Sequence, residues 1–151
     1  MLRYNLPHTH KGEPGVTDYR ALEEFRYQIR RFLHFSEEAA KVHGLEPQQH
    51  QMLLAIRALG EREGTTIGRL AERLLIRHHS AVGLVDRLEE GRLVKRVRGG
   101  EDRRQVRVQL TLKGGARLQR LSEAHREELR HSGPLLVAAL SDVLEHLSAS
   151  V

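Results

Sequence analysis

The chain contains no cysteine. That excludes disulfides, thiolate nucleophiles, thiol redox sensing and Cys-based zinc sites together. Aromatic residues are scarce, 4% of 151, so the core is expected to be built mostly from Leu, Val, Ile and Ala. No apolar run approaches the roughly 18 residues needed to span a bilayer. The segment from Met1 to Lys11 lacks the apolar middle of a secretory signal. The expectation is a soluble, cytoplasmic protein without a membrane partner. Its length suits one domain, or one subunit completed by pairing.

Charge is plentiful but mixed in sign. Lys plus Arg number 25 and Asp plus Glu 20, a net charge of +5. The mixture argues against a disordered polyelectrolyte, and +5 alone is a weak argument for nucleic acid. Position says more than total. Residues 1–75 hold 11 basic and 10 acidic side chains, whereas residues 76–151 hold 14 and 10. Six of those basic residues fall between Arg92 and Arg104.

Periodicity divides the chain. Residues 1–16 contain Pro7, Gly12, Pro14 and Gly15 with little pattern, and read as a flexible or partner-docking arm. From Thr17 or Asp18, apolar residues recur at helical steps (Leu22, Phe25, Ile29, Phe32, Leu33), with Gly44 as the stop. Pro47 suits the first turn of a second helix facing inward through Met52, Leu53, Ile56 and Leu59. Gly60 to Thr65 reads as a polar connection. Thr66 then caps a short helix carrying Ile67, Leu70, Ala71 and Leu74. After Leu75, Ile76 and Arg77 comes another, with Ala81, Leu84, Val85 and Leu88 on one face and few large apolar groups on the other. Two short helices so spaced are what a helix-turn-helix requires.

The period then changes from helical to alternating. Residues 93–98 and 106–110 read as two half-buried strands joined by a glycine-opened, charged tip, which makes a wing. Thr111 caps a helix expected over about Leu112 to Arg130, where Gly114 and Gly115 mark either a delayed start or close packing. Pro134 is expected to open a separate last helix. That helix is apolar over most of its circumference, so a second subunit is the simplest cover. The fold class is therefore mainly α with a small β-hairpin wing: a winged helix-turn-helix lobe, 47–111, plus a helical dimerisation base formed by 17–46 and 112–151.

Three segments together resemble the multiple-antibiotic-resistance regulator (MarR) family. They are IGRLAERL from Ile67, SAVGLVDRLEE from Ser80, and DRRQVRVQLTLKG from Asp102. The most specific parts are LVDRL (84–88) and the wing signature over 102–114. The resemblance implies a homodimer whose first, fifth and last helices form the base, each subunit projecting one DNA-binding lobe. It departs at Arg77, His78 and His79, where such proteins often carry small polar residues.

On this reading the helix from His78 lies in the major groove of double-stranded DNA. Arg77, His78, His79, Ser80 and Arg87 are the base-edge or near-base candidates, and Gly83 permits close approach. Each has a plainer alternative as a solvated helix surface. Resemblance places Arg104 in the minor groove, where a narrow A·T-rich groove concentrates negative potential. Asp102 can hold that guanidinium in place, and its plainer reading as a turn-forming Asp is compatible with the same role. Arg98 and Arg103, like Lys95 and Arg96, are phosphate contacts or surface charges. Two lobes imply a pseudo-palindromic site with half-sites one helical turn apart. Protonation of His78 and His79 near phosphates would tighten DNA binding below about pH 6.5.

The family commonly responds to small anionic or phenolic effectors bound between base and lobe. Arg30, His34, His50 and Arg57 are the polar handles near that junction, against the plainer reading that they are exposed or internally satisfied. No cofactor or metal site is expected, since His8 and His10 form only a lone pair and adjacent His78 and His79 diverge by about 100° on a helix. The leading function is a ligand-modulated, homodimeric transcriptional repressor. The alternative is a ligand-independent winged-helix protein with an architectural or protein-binding role. No nucleophile elbow, phosphate-binding glycine loop or metal-ligand cluster supports an enzyme.

Overall fold

The computed structural model describes residues 19–99, 102 and 104–148. The 1–16 arm, the helix start at Thr17 or Asp18, and Arg103 lie outside the described residues. The chain divides into two compact units.

The larger unit, Leu33–Arg130, holds the main core. It contains the second part of α1 (Tyr19–Val42), α2 (Pro47–Gly60), β1 (Thr65–Thr66), α3 (Ile67–Leu74), α4 (His78–Glu90), β2 (Val94–Arg98), β3 (Val106–Leu110) and the first part of α5 (Leu112–Ser148). Gly44 ends the first helical stretch at φ +71, a left-handed conformation available to glycine at little cost. At the start of α2, Glu46 N–H donates to the Gln49 side chain at 2.9 Å, and Pro47 occupies a first-turn position where its missing N–H is harmless. Thr66 caps α3 by accepting from Arg69 N–H. Leu75 makes the turn into α4 in the left-handed region, φ 56.

The apolar stripes read from the sequence converge. Met52, Leu53, Ile56, Leu70, Leu84, Val85 and Leu88 are fully buried, joined by Val94 and Val108 from the strands. The strands form one antiparallel sheet in the order β1-β3-β2, with Val97 opposite Arg107 and Arg96 opposite Val108. β1 corrects the expected plain connection over 60–65: Thr65 pairs with Val108 and Thr66 with Arg107. The chain fits there because Gly64 turns at φ +81, where a Cβ would lie 2.5 Å from the Val108 carbonyl oxygen.

The start of α5 is riveted to the α4–β2 junction. Thr111 Oγ donates to the Arg92 carbonyl at 2.7 Å and accepts from Gly114 N–H at 3.0 Å. Thr111 N–H donates to the Leu93 carbonyl at 3.0 Å, and Lys113 Nζ to the Gly91 carbonyl at 3.1 Å. Gly114 is close packing rather than a delayed start, since its Cβ would lie 1.9 Å from the Leu93 carbonyl oxygen.

The smaller unit combines the described residues of Met1–Phe32 with those of His131–Val151. Ala21, Gln28, Ser132 and Ala139 are buried there, while Leu135, Val137, Leu140, Leu144 and Leu147 remain exposed. The two helices expected over 112–151 are one: α5 runs through Pro134 without interruption. Proline removes one N–H and crowds the carbonyl four residues earlier, here that of Arg130. A helix of 37 residues loses one hydrogen bond of many. The boundary between the units falls at that same residue, Arg130. No helix among the described residues is long and apolar enough to cross a membrane.

Candidate nucleic-acid interface

α4 turns its small and aliphatic side inward, burying Ala81, Leu84, Val85 and Leu88, so its opposite side faces out. Arg77, His78, His79, Ser80, Asp86 and Arg87 are all exposed. Arg77 takes the N-cap position without a side-chain cap, leaving first-turn N–H groups available to an anion. The Arg87 guanidinium lies over Gly83, 3.6 Å from the place a Cβ would occupy, an ordinary contact distance.

Arg96 does not serve as a free surface charge. From β2 its Nη1 donates to Glu89 at 2.9 Å, its Nη2 pairs with Asp86, and its backbone N–H donates to Glu89 at 2.9 Å. These bonds tie the wing strand to α4. They occupy two of the carboxylates on α4 and leave Arg77 and Arg87 without those anions as partners. Arg107 and Gln109 perform a similar task on β3, donating to the carbonyls of Gly64 and Glu63, both at 3.1 Å. Sequence periodicity marks these as strand residues without showing what they anchor. Their long-range partners carry no local pattern.

At the wing tip, Asp102 Oδ1 accepts from the backbone N–H of Arg104 at 3.0 Å, and the Asp102 carbonyl accepts from Gln105 N–H. This bond forms a turn, and it fixes the backbone from which the exposed Arg104 side chain projects. Arg98 and Asp102 border one hollow of about 800 Å³ with Gln105 and Arg107.

The four effector-handle residues lie in different settings. Arg30, in the smaller unit, pairs with Glu23 at 3.0 Å. His34 is exposed. Arg57 lies across Gly115 and borders a hollow of about 520 Å³ with Arg62, Lys95 and Gln119. His50 is buried, 5% exposed, beside His125 of α5. Burial pushes the His50 pKa down to about 4, with His125 and His43 adding in the same direction. Among the described residues no group of three or more His, Asp or Glu is placed to hold a metal ion.

A helix-turn-helix followed directly by a strand pair pinned to its second helix is a winged helix. Comparison with known proteins narrows the class. The family model described as MarR family matches residues 43–105. No curated protein matches the chain. Among solved structures, MarR from E. coli in its apo form is 20% identical, with a TM-score of 0.66 over 87% of this chain and 97% of that one. A point mutant of S. aureus MepR bound to an oligodeoxyribonucleotide is 19% identical, with a TM-score of 0.63 over 86% and 98%. CouR from Rhodococcus jostii RHA1 bound to p-coumaroyl-CoA is 21% identical, with a TM-score of 0.65 over 86% and 95%. Residues 43–105 match the MarR-family model, and the chain has the fold of MarR-family proteins of known structure.

Proposed function

We propose that the chain is a homodimeric transcriptional repressor that binds double-stranded DNA at a pseudo-palindromic site. The observation that carries this reading is the outer face of α4. It presents Arg77, His78, His79, Ser80 and Arg87 without a large apolar group among them, on a helix locked to the wing through Arg96. α4 enters the major groove, and Gly83 allows it to come close. Arg104 on the wing enters the minor groove, held by the turn that Asp102 makes, with Arg98 and Arg103 neutralising phosphates. The lobe comprises residues 47–111, while 17–46 and 112–151 form the dimer base. The exposed Leu and Val residues near the end of α5 support that base, because a second copy would cover them. The MepR oligodeoxyribonucleotide complex supports DNA as the partner.

A small anionic or phenolic effector modulates the affinity. The CouR complex with p-coumaroyl-CoA supports this part. Arg57, which borders a hollow, is its proposed cationic contact; Arg30 and His34 are further handles.

The test is a duplex titration across salt, using a site selected from genomic fragments by the purified full-length chain. With about 6–10 phosphates neutralised by a dimer, affinity should fall about 10³- to 10⁵-fold between 50 and 200 mM salt. Arg104→Ala should weaken binding and flatten any preference for A·T-rich flanks. A salt slope near zero would reject DNA as the partner.

A further inference from the structure

Rings converge where the end of α1, the first turn of α2 and the middle of α5 meet, within the larger unit. The His50 and His125 ring centroids are 4.8 Å apart with planes tilted by 39°. Phe35 of α1 meets His125 edge-on, 5.4 Å between centroids. His125 is held from both sides. Its Nδ1 lies 2.7 Å from the Leu121 carbonyl, which can only accept, so Nδ1 carries the proton. Its Nε2 lies 2.8 Å from Ser36 Oγ. In the neutral ring Nε2 accepts from that hydroxyl; in the charged ring it donates, and the hydroxyl rotates to accept. His125 thus keeps both partners in either protonation state.

His50 is placed differently. It lies in the first turn of α2, where the helix dipole disfavours a positive charge. From α5 it faces His125, and from the turn after α1 it is within electrostatic reach of His43, whose Nδ1 donates to the Ala39 carbonyl at 2.8 Å. Both neighbours repel it when charged. Along its own helix the charged residues are Glu46 at the N-cap and Arg57 near the far end. α3, α4, β1 and β3 also pack on α2; α3 and α4 bring Leu70, Ala71, Leu84, Val85 and Leu88 to the shared core and β3 brings Val108, none of them charged, while the charged residue of β3, Arg107, donates to the Gly64 carbonyl.

We propose that His50 and His125 form a proton-operated joint: neutral His50 lets α2 close on α1 and α5, and protonated His50 opens it, loosening the lobe in mild acid. That the loosened lobe then releases DNA rests on the function proposed above.

Linkage sets the size of the effect. A closed joint holds His50 at about 4, and opening returns it to its ordinary 6.5. The ratio of open to closed forms then rises about tenfold between about pH 7.5 and 5.5.

Hydrogen exchange on the full-length chain reads this directly. After correction for intrinsic exchange, amides in the first turns of α2 should show about a tenfold higher opening constant at pH 5.5 than at 7.5. In His50→Phe, which keeps a ring but cannot titrate, the constant should change less than about twofold. A flat wild-type profile, or the same rise in the variant, overturns the joint. Should the variant fail to fold, the imidazole NMR titration of wild-type His50 decides: a midpoint below about 5 supports the proposal and one near 6.5 overturns it. For the DNA arm, the ratio of wild-type to His50→Phe affinity for the selected duplex should fall by the factor by which the measured opening constants lower the closed fraction, followed down in pH until that fraction has halved. This ratio cancels the contribution of His78 and His79. A ratio that stays constant while the closed fraction halves overturns the coupling to DNA, while absence of any duplex binding at pH 7.5 overturns the function and leaves the exchange result standing.

Discussion

Arg96 of the wing strand is bonded to Asp86 of the helix it follows, and its second guanidinium nitrogen reaches Glu89 on the same helix at 2.9 Å. The basic cluster between Arg92 and Arg104 is thus divided in purpose. One member is committed internally, holding β2 and α4 in a fixed relation, while Arg98 and Arg104 remain exposed.

That division gives a measurable contrast. Replacing Arg96 by Gln should weaken duplex binding several-fold by misplacing the wing, yet leave the salt slope unchanged, because no phosphate contact is lost. Arg98→Ala should lower affinity and reduce the slope by about one. Paired salt titrations check both, and an equal loss of slope in the two variants would make Arg96 a phosphate ligand instead.

Gly114 offers a test of the junction between wing and α5. An alanine there gains roughly 1 kcal/mol of helix propensity. The added Cβ, however, meets the Leu93 carbonyl at 1.9 Å, which only a backbone shift relieves. Overpacking of this kind costs about 1–3 kcal/mol or more, and the Thr111 and Lys113 bonds are disturbed with it. Urea unfolding of Gly114→Ala should therefore show a net loss of up to about 2 kcal/mol. A variant more stable than wild type would show that the junction yields freely.

Much of this was legible in the sequence, for physical reasons that also mark the limit. Helices α3 and α4 and strands β2 and β3 announce themselves because each buries one face, so Leu70, Leu84, Leu88 and Val108 recur at the period of their element. β1 has two residues, too few to show a period, and exists through its pairing with β3. Pro134 is a local stop signal overruled by the hydrogen bonds on either side of it. The exposed face of α4 followed from its lean composition, and so did the turn at Asp102. The partners of Arg96 did not, since nothing in the order of residues tells a guanidinium destined for phosphate from one destined for Asp86. His50 likewise read as a polar handle because its companion, His125, is distant in the chain.

The buried imidazole has a consequence for stability as well. His50 titrates near 4 in the folded chain and near 6.5 when unfolded. Between those values the unfolded form binds more protons, so the contribution is intact above about pH 6.5 and is lost as pH falls towards 4. The full shift corresponds to about 3 kcal/mol. Urea midpoints measured from pH 7 down to 4 should decline more steeply for wild type than for His50→Phe. Parallel curves would show that His50 is not held neutral.

The apolar surface of the smaller unit makes the last prediction. Leu140 and Leu144 lie one helical turn apart on α5, and both are at least 40% exposed. Their common side is uncovered in the single chain, although burying a leucine fully is worth about 1.5–3 kcal/mol. If a second copy covers them, Leu144→Glu introduces a carboxylate into the interface and should convert the dimer to monomer in sedimentation at micromolar concentration. Unfolding of the larger unit, which contains neither residue, should change little. Duplex affinity should fall by orders of magnitude, because two lobes bound to one dimer engage their half-sites with an effective concentration that separate lobes lack. A variant that stays dimeric and binds normally would place the interface elsewhere.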